Sequence, residues 1–268
     1  MGVLDIKNLT FRYKTKFIYE DFSLSIDKGS WTTIAGPNGA GKTTLVKLLA
    51  GLLKNYSSIT IFGKNYDKKN GLDIRSEIGF VFDVPDNYFA CETVEDELAF
   101  ALENMAMDPK TIRKKIKEIS KKFELNDYLK KNPLELSGGE KQKLALACAL
   151  IISPRILILD EALMMVDINE REKLLNIIKE YNKQSRVTVI SFTHNLEEAI
   201  YSDRLVILNK GKIVVDGAFP NVFSEERVMR KIGLEVPFMV ELCQKLKVYG
   251  LVNEIDLDMD KVVSGLWK

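Results

Sequence analysis

The feature that most constrains this chain is a glycine-rich segment at residues 36–44, which reads GPNGAGKTT and matches the pattern GxxxxGK[ST]. Such a loop works between a β-strand and a helix, because its backbone N–H groups and the helix N-terminus must converge on one anion. A β-rich run, Trp31–Ala35, precedes the loop, and leucines at helical spacing follow it. The pattern therefore predicts a phosphate-binding loop; the alternative is a glycine turn that binds nothing.

The positions of this loop predict separate roles. Lys42 is expected to reach the β- and γ-phosphates of a nucleotide, and Thr43 to ligate Mg²⁺. The glycines let backbone N–H groups approach phosphate oxygens without interference from a Cβ atom. The remaining positions of the predicted nucleotide contact are Gly36, Pro37, Asn38, Gly39, Ala40, Gly41 and Thr44.

A second motif, ILILDE at residues 156–161, places two carboxylates directly after four apolar residues. The apolar run predicts a buried strand, and ligands of open α/β sheets bind at the carboxyl ends of the strands. Asp160 is positioned to hold Mg²⁺ through water, and Glu161 to act as a base that polarises an attacking water. The alternative is an acidic strand end that is merely solvated.

A third motif, LSGGE, comprises Leu136, Ser137, Gly138, Gly139 and Glu140 and opens a helical run. A serine and two glycines at a helix start predict a second anion site. The alternative is an ordinary capping box, in which Ser137 caps the helix and Glu140 bonds back to it.

The rest of the chain alternates short apolar strands with helical patterns, which predicts an α/β fold with a mainly parallel sheet. Residues 3–13 and 21–27 alternate in strand fashion and suggest an added antiparallel layer. Residues 92–150 have a helical pattern, as do 168–183 and 195–201. Residues 220–268 look like a separate helical segment.

Composition excludes several other classes of protein. The net charge of +1, from 39 basic and 38 acidic residues, gives no basic surplus for general nucleic-acid binding. The three cysteines, Cys91, Cys148 and Cys243, lie far apart, as expected for buried thiols in a reducing compartment. No apolar run approaches the roughly 20 residues that span a bilayer, and the N-terminus does not resemble a signal peptide.

The three motifs, in this order, resemble the ATPase subunit of an ABC transporter, and the resemblance covers residues 1 to about 220. It implies an ABC ATPase domain over residues 1–220 with a helical subdomain inserted at about 86–152. It also implies a head-to-tail dimer in which each ATP lies between the loop 36–44 of one subunit and Ser137-Gly138-Gly139 of the other. Residues 221–268 are then expected to be a helical extension that assists dimerisation.

The same resemblance assigns three further positions. Tyr13 lies where the family stacks an aromatic ring on adenine; the alternative is a surface tyrosine. His194, the only histidine of the chain, lies at the family's switch histidine and is expected to contact the γ-phosphate and position the water beside Glu161. Asp167 matches the aspartate of the family's D-loop, which communicates across the dimer.

Two departures from the family pattern affect the site. Asp83 stands where the family has a glutamine that contacts Mg²⁺ and the attacking water. It can still ligate Mg²⁺, but it adds negative charge near the γ-phosphate, so we expect slower or altered hydrolysis with nucleotide binding retained. Met164 and Met165 stand where small polar residues are usual and give a more apolar dimer seam. Both departures favour a heterodimer with a second, non-identical ATPase.

Residues 85–87 and 93–104 are similar to the ATPases of energy-coupling-factor (ECF) transporters, which import vitamins or transition-metal ions. This resemblance implies an integral membrane coupling subunit and a substrate-binding membrane subunit as partners, with the ATPase at the cytoplasmic face of the membrane. The acidic residues near this segment either dock an arginine of the coupling subunit or favour a helix N-terminus. They are Asp86, Glu92, Glu95, Asp96 and Glu97.

Three alternatives to the ECF ATPase stay open. The first is the ATPase of another ABC transporter subfamily. The second is a soluble ABC ATPase acting on DNA or ribosomes, which usually carries insertions or basic surfaces that this chain lacks. The third is a regulatory nucleotide-binding module without turnover, which Asp83 favours and which Lys42, Asp160, Glu161 and His194 oppose.

Overall fold

The computed structural model describes residues 2–54, 58–84, 89–218, 221–253, 255 and 259–266. Its strands form two sheets. In chain order they are β1 (Leu4–Tyr13), β2 (Lys16–Ile26), β3 (Trp31–Ala35), β4 (Ile59–Ile61), β5 (Lys64–Asn65), β6 (Ile78–Val81), β7 (Ile156–Asp160), β8 (Thr188–Thr193), β9 (Arg204–Asn209) and β10 (Lys212–Ala218).

The larger sheet has six strands in the order β10-β9-β3-β8-β7-β6. All its neighbouring strands run parallel except β10, which is antiparallel to β9. Every residue of β3, β7 and β8 is buried, as expected for strands covered on both faces. Ala35 pairs with Thr193, and Asp160 with Phe192. The chain therefore leaves all three strands at one edge of the sheet.

The smaller sheet is antiparallel, in the order β2-β1-β4-β5, which confirms the added layer at the N-terminus. β2 begins at Lys16, five residues before the predicted start at 21, because Tyr13 and Lys16 pair directly across a tight turn. β5, which has only two residues, was not predicted, since so short a strand carries no readable alternation.

The helices lie between the strands and after them. They are α1 (Lys42–Leu49), α2 (Gly71–Ser76), α3 (Val94–Asn104), α4 (Pro109–Lys122), α5 (Gly138–Ile151), α6 (Ile168–Ser185), α7 (Glu226–Lys231), α8 (Phe238–Val248) and α9 (Met259–Leu266). The pattern predicts an ordinary helix at 195–201, but Leu196–Tyr201 forms a 3₁₀ helix. Asn195 caps it by accepting a hydrogen bond from the Glu197 N–H group. α2 and β10 were not predicted.

The buried apolar residues form three clusters. One joins the antiparallel sheet to α1 and one face of the larger sheet. Another joins the opposite face to the helices between residues 94 and 178. The third lies under α7 and α8, where Met229 and Val240 join Leu196 and Ala199. Phe238 N also donates to Glu197 Oε1 over 2.9 Å. The C-terminal segment is thus fixed to the 3₁₀ turn that follows His194.

The predicted limits of the ATPase domain, its helical subdomain and the C-terminal extension stay predictions. Among the described residues, no helix combines the length and apolar character that crossing a bilayer requires.

Candidate active site

The loop at residues 36–44 connects β3 to α1, as its sequence predicts. Gly39 and Gly41 have φ angles of 80° and 118°, which side chains strongly disfavour. A Cβ atom on Gly41 would lie 2.7 Å from the Tyr19 hydroxyl. That hydroxyl donates a 2.9 Å hydrogen bond to the Gly41 carbonyl oxygen, and Gly211 N donates to the Ala40 carbonyl oxygen at 2.9 Å. The loop is therefore held from outside in a shape that glycine permits.

Lys42 lies inside this loop rather than on its surface. Its side chain is buried, and Nζ donates to the Gly36 carbonyl oxygen over 2.6 Å. Nζ is also 3.8 Å from Glu161 Oε1. Burial lowers the pKa of Lys42, while the carboxylates of Glu161 and Asp160 act in the opposite direction. This arrangement supplies one cation where the loop, α1 and the end of β7 meet, as phosphate binding requires.

Asp160 ends β7 and is almost completely buried. Its Oδ1 atom has no hydrogen-bond partner among the described residues. Burial, together with the charges of Asp83 and Glu161, raises the pKa of this carboxyl to about 6. A buried carboxylate oxygen without a partner is a position that a hard cation can fill.

Asp160 therefore fits the role of a magnesium ligand, with Thr43 and Asp83 at the adjoining cavity. No set of three His, Cys, Asp or Glu side chains in the described part of the chain could hold a metal alone. Mg²⁺ in nucleotide sites usually has one or two carboxylate ligands and completes its shell with water and phosphate oxygens. These residues fit a cation that arrives together with a phosphate ligand.

Glu161 and His194 meet at the ends of β7 and β8. His194 Nδ1 is 2.9 Å from Glu161 Oε2. Glu161 has a φ angle of 50°, and its N–H group donates to the Phe192 carbonyl oxygen at 2.9 Å. This bond anchors the backbone where the chain turns away from the sheet, so the carboxylate faces Lys42 and His194. A carboxylate held in this way can accept a proton from a water molecule.

These residues surround an open cavity of about 520 Å³. Two of its lining residues, Lys16 and Ile18, were missed by sequence reasoning. The one clue in the sequence was Tyr13: a hairpin that brings Tyr13 to the nucleotide also brings the residues that follow Tyr13 in the chain. The lining consists of Lys16, Ile18, Pro37, Asn38, Gly39, Ala40, Gly41, Lys42, Thr43, Thr44, Asp83, Glu161, Met164 and His194.

Tyr13 is not part of that lining. Its ring is 41% exposed and packs edge-on against Phe11, with the ring centroids 5.1 Å apart. It belongs to the same hairpin as Lys16, with which it pairs. A ring in this position is free on its outer side, and its stacking on adenine stays a prediction.

Ser137 and Glu140 form the capping box that was the alternative for the third motif. Ser137 Oγ accepts from Glu140 N at 3.4 Å, and Ser137 N donates to Glu140 Oε2 at 2.7 Å. Hydrogen bonds from Tyr128 and Ser137 lower the pKa of Glu140. Residues 137–140 do not line the cavity described above. Within one chain, the structure therefore does not bring this motif to the phosphate loop.

The segment between Glu161 and α6 lies against that motif. A Cβ atom on Gly138 would be 3.3 Å from Met165. The Met165 N–H group donates a 3.0 Å hydrogen bond to Gln142 Oε1 on α5. Met164 and Met165 are 53% and 51% exposed. Asp167 is also exposed and caps α6 by accepting from Glu170 N at 3.1 Å.

The acidic residues near α3 are divided by the structure. Glu97 is buried and accepts hydrogen bonds from the N–H groups of Ala90 and Cys91, both at 2.9 Å. Glu95 pairs with Lys130, and Asp96 accepts from the Thr93 hydroxyl at 2.6 Å. These contacts stabilise the start of α3, which agrees with the alternative that the acidic residues favour a helix N-terminus. Residues 85–87, including Asp86, lie outside the described residues.

Cys91, Cys148 and Cys243 are not joined in disulfides. Cys243 is buried, while Cys91 and Cys148 are partly buried. Burial, together with the charge of Glu97, raises the pKa of the Cys91 thiol to about 11. Burial also raises the pKa of the Cys148 thiol, so the Cys91 and Cys148 thiols stay protonated at neutral pH, which suits a packing role.

Comparison with known proteins identifies what this arrangement is similar to. The family described as ABC transporter matches residues 19–164. The energy-coupling factor transporter ATP-binding protein EcfA of Pediococcus pentosaceus is 40% identical over 264 residues, covering 97% of this chain and 94% of that protein. The corresponding protein EcfA1 of Geobacillus kaustophilus is 37% identical over 269 residues, covering 99% and 96%.

Solved structures give the same comparison at the level of the fold. CbiO1 of Clostridium perfringens, described as part of the ABC transporter complex cbiONQ, superposes with a TM-score of 0.77 at 29% identity. The superposition covers 91% of this chain and 99% of the CbiO1 chain. A dimeric ATP-binding cassette in a post-hydrolysis state, bound to ADP and Pi, superposes with a TM-score of 0.73 at 27% identity. That match covers 80% of this chain and 98% of the other.

Proposed function

Since this chain belongs to the ABC transporter family, as an ATP-hydrolysing subunit of the energy-coupling-factor type, we propose that it drives membrane uptake of a vitamin or a transition-metal ion. The observation that carries the proposal is the Glu161–His194 contact beside the phosphate loop. A carboxylate base, a histidine and a buried lysine at one strand edge suit hydrolysis of a phosphoanhydride.

In this proposal each side chain has one task. Lys42 and the N–H groups of the loop bind the β- and γ-phosphates. Glu161 takes the proton of the attacking water, and His194 contacts the γ-phosphate and holds that water beside Glu161. Asp160, Thr43 and Asp83 would hold Mg²⁺, which neutralises charge on the phosphates when it is bound.

We infer that the site is completed by a second ATPase subunit in a head-to-tail dimer. Ser137, Gly138 and Gly139 lie outside the cavity around the phosphate loop, and Asp167 is exposed. Because these residues flank the start of a helix, they can present N–H groups to a phosphate of the partner's nucleotide. Tyr13 would stack on the adenine ring. ATP binding would close such a dimer, and hydrolysis would reopen it.

The remaining partners are integral membrane proteins: a coupling subunit and a substrate-binding subunit. Support comes from the relatives, which carry the name of ECF transporters, and from the neighbour described as part of a transporter complex. The ATPase would then lie at the cytoplasmic face of the membrane. The charge of Asp83 and the exposed Met164 and Met165 favour a non-identical second ATPase.

The test is purification of the tagged full-length chain from detergent-solubilised membranes, with mass spectrometry of all partners and ATPase assay of the complex. We expect a second ABC ATPase, a shared membrane subunit and a small substrate-binding membrane protein. Recovery with ribosomes or DNA, and without an integral membrane protein, would contradict the transport proposal. Complex purified with Lys42→Ala is the control for contaminating ATPases, since it should assemble and lose hydrolysis.

A further inference from the structure

The positive charge of α4 is concentrated on its exposed side. Seven of its fourteen residues are basic and one, Glu118, is acidic, whereas the chain as a whole has a net charge of +1. Five of the seven basic side chains are exposed. We call these five residues the basic stripe: Lys110, Arg113, Lys114, Lys117 and Lys121.

The basic stripe lies on the side of α4 that faces away from the protein core. At 3.6 residues per turn, its five positions fall within an arc of about 100° and extend about 16 Å along the helix axis. Ile112, Ile116 and Ile119 lie on the opposite side, where they are buried in the same apolar cluster as Leu98 and Leu102 of α3. α4 therefore presents a row of cations to its surroundings while its isoleucines are occupied in the core.

The two basic residues of α4 outside the stripe are used within the protein. Lys115 Nζ donates a 3.0 Å hydrogen bond to the Ile151 carbonyl oxygen. Lys122 Nζ pairs with Glu180 Oε1 at 3.0 Å. These two side chains have contacts that explain their charge, so the question is what the charge of the stripe contacts.

The stripe itself is poorly balanced by the protein. Within the described part of the chain, Lys114 is the one stripe residue with an ion-pair partner, Glu118 at 3.9 Å, and both side chains are largely exposed. Neighbouring stripe residues are three or four positions apart, and like charges at that spacing destabilise a helix. Lys110 also lies in the first turn, where the helix dipole disfavours a cation. The stripe is therefore unfavourable in the chain alone and becomes favourable against a negative surface.

We propose that the basic stripe binds the anionic lipid headgroups of the membrane surface. The stripe has no apolar side chain to insert among acyl chains, because the isoleucines of α4 are buried, so the attraction is electrostatic. α4 has no aromatic residue on which a base could stack and no Asn or Gln to read a base edge, which disfavours nucleic acid. An acidic protein surface fits less well, since the stripe lacks the apolar or aromatic anchors on which protein interfaces centre.

This contact would hold the ATPase subunit at the membrane through its own surface, in addition to its protein partners. The attraction between exposed charges falls off within a Debye length, about 8 Å at physiological ionic strength. A stripe of this length would therefore keep α4 close to the headgroups and roughly parallel to them. The inference rests on the proposed location of the chain at the cytoplasmic face of the membrane.

The test is flotation of the purified full-length chain with sealed lipid vesicles. One set contains phosphatidylcholine alone, and the other contains phosphatidylcholine and phosphatidylglycerol in equal amounts. At about 0.1 M salt we expect the chain to bind the anionic vesicles at least about tenfold more tightly than the neutral ones. At about 1 M salt, where the Debye length is about 3 Å, this preference should disappear.

A double variant assigns the binding to the stripe. Arg113→Gln with Lys117→Gln should weaken binding to the anionic vesicles by about 25-fold, since each basic residue near such a surface contributes about fivefold. Gln keeps the helix propensity of Lys and Arg, and like-charge repulsion is relieved, so the thermal midpoint should not fall. The matched control is Lys68→Gln with Lys69→Gln, which removes the same charge from two exposed residues before α2. It should bind within about twofold of the unchanged chain.

Several results would overturn the inference. Equal binding to the two kinds of vesicle would exclude recognition of anionic lipid, and equal losses in the stripe and control variants would show an effect of net charge alone. A lower thermal midpoint of the stripe variant would show that the stripe stabilises α4 instead. Displacement from anionic vesicles by duplex DNA at an equal concentration of negative charge would assign the stripe to nucleic acid.

Failure of this inference and failure of the proposed function are distinguishable. Flotation uses the isolated chain and needs neither ATP hydrolysis nor a protein partner, so a chain that ignores anionic vesicles can still be recovered with its transporter subunits. Conversely, purification without an integral membrane protein would contradict the transport proposal whatever the vesicles show.

Discussion

His194 and Glu161 are 33 residues apart in the chain, yet His194 Nδ1 lies 2.9 Å from Glu161 Oε2. The register of the sheet produces this proximity. β7 and β8 are parallel neighbours in which Asp160 pairs with Phe192, so the residues just beyond both strands leave the sheet side by side. The Glu161 N–H group also donates to the Phe192 carbonyl oxygen at 2.9 Å, which fixes the backbone of one member of the pair.

Glu161→Gln should lower kcat for ATP hydrolysis by about 100- to 10,000-fold, because the amide cannot accept the proton of water. ATP binding should persist, since Lys42 and the loop are unchanged. His194→Ala should also lower kcat. Steady-state hydrolysis and binding of a fluorescent ATP analogue measure the two effects separately. A Glu161→Gln protein that keeps more than a tenth of its kcat would exclude Glu161 as the base.

Lys42→Ala should weaken ATP binding by about 10- to 100-fold, the range expected for losing a charge-assisted contact. The Glu161 carboxylate would also lose the ammonium group that lies 3.8 Å from its Oε1 atom. Equilibrium titration with a fluorescent ATP analogue gives the Kd. Lys47→Ala is the control, because Lys47 lies on the exposed face of α1. Equal Kd values for the two variants would contradict a phosphate-binding role for Lys42.

Gly41→Ala should destroy the loop, since the new Cβ atom combines a φ angle of 118° with a 2.7 Å contact to the Tyr19 hydroxyl. We expect loss of ATP binding and a lower thermal midpoint. Gly63→Ala provides a matched control: Gly63 has a φ angle of 75° and nothing within 4 Å of the added atom. Gly63→Ala therefore introduces only the cost of a positive φ angle at an alanine, about 1 kcal/mol, and should bind ATP normally. Normal binding by Gly41→Ala would show that the loop adapts.

Asp83→Gln should raise kcat by about two- to tenfold, because it removes a negative charge beside the developing charge of the γ-phosphate. It should also lower the pKa of Asp160, which Asp83 now helps to raise to about 6. More Mg²⁺ should be needed for half-maximal hydrolysis, since one carboxylate is lost. Magnesium titrations of the ATPase rate measure both effects, with Asp83→Asn separating charge from length. A slower Asp83→Gln enzyme would contradict this account.

Glu198→Gln should make the protein more stable at pH 8 but not at pH 4.5. The native pKa of Glu198, about 7, lies above its ordinary value of 4.5, so the folded state holds this proton more tightly. The resulting stability is present below pH 4.5 and is lost as the pH rises through 7. Since Gln does not titrate, its thermal midpoint at pH 8 should be higher by about 5 °C.

Calorimetry at both pH values gives the comparison, with Glu77→Gln as the exposed control. Besides burial, the pKa of Glu198 is affected by Arg171, Glu161, Thr193 and His194. The measured difference in thermal midpoint therefore includes their contributions. A lower midpoint for Glu198→Gln at pH 8 would show that its charged form stabilises the fold.

The sequence was sufficient for the parts of the site that are local. A glycine-rich loop and a buried apolar strand are each recognisable within ten residues of sequence. This is why the loop 36–44 and the strand residues Ile156–Leu159 could be predicted. The fold class followed from the order of such segments, and the structure and the comparisons confirm it. The antiparallel layer was recognised for the same reason.

What the sequence did not reveal depends on distant contacts. Lys16 and Ile18 reach the cavity only because the β1–β2 turn folds over the loop. The turn at 195–201 reads as a helix by spacing, yet its apolar side is covered by α7 and α8, and it forms a 3₁₀ helix.

The attachment of the C-terminal segment to Glu197 means that a shortened version of this protein would lose contacts close to His194. Residues 221–248 cover Leu196 and Ala199, and Phe238 N is bonded to a carboxylate three residues beyond His194. Cutting the chain after β10 would expose the underside of that turn to water and leave Glu197 without this donor. The shortest fragment that preserves the histidine in its native setting is therefore longer than the motifs imply, and it extends through α8.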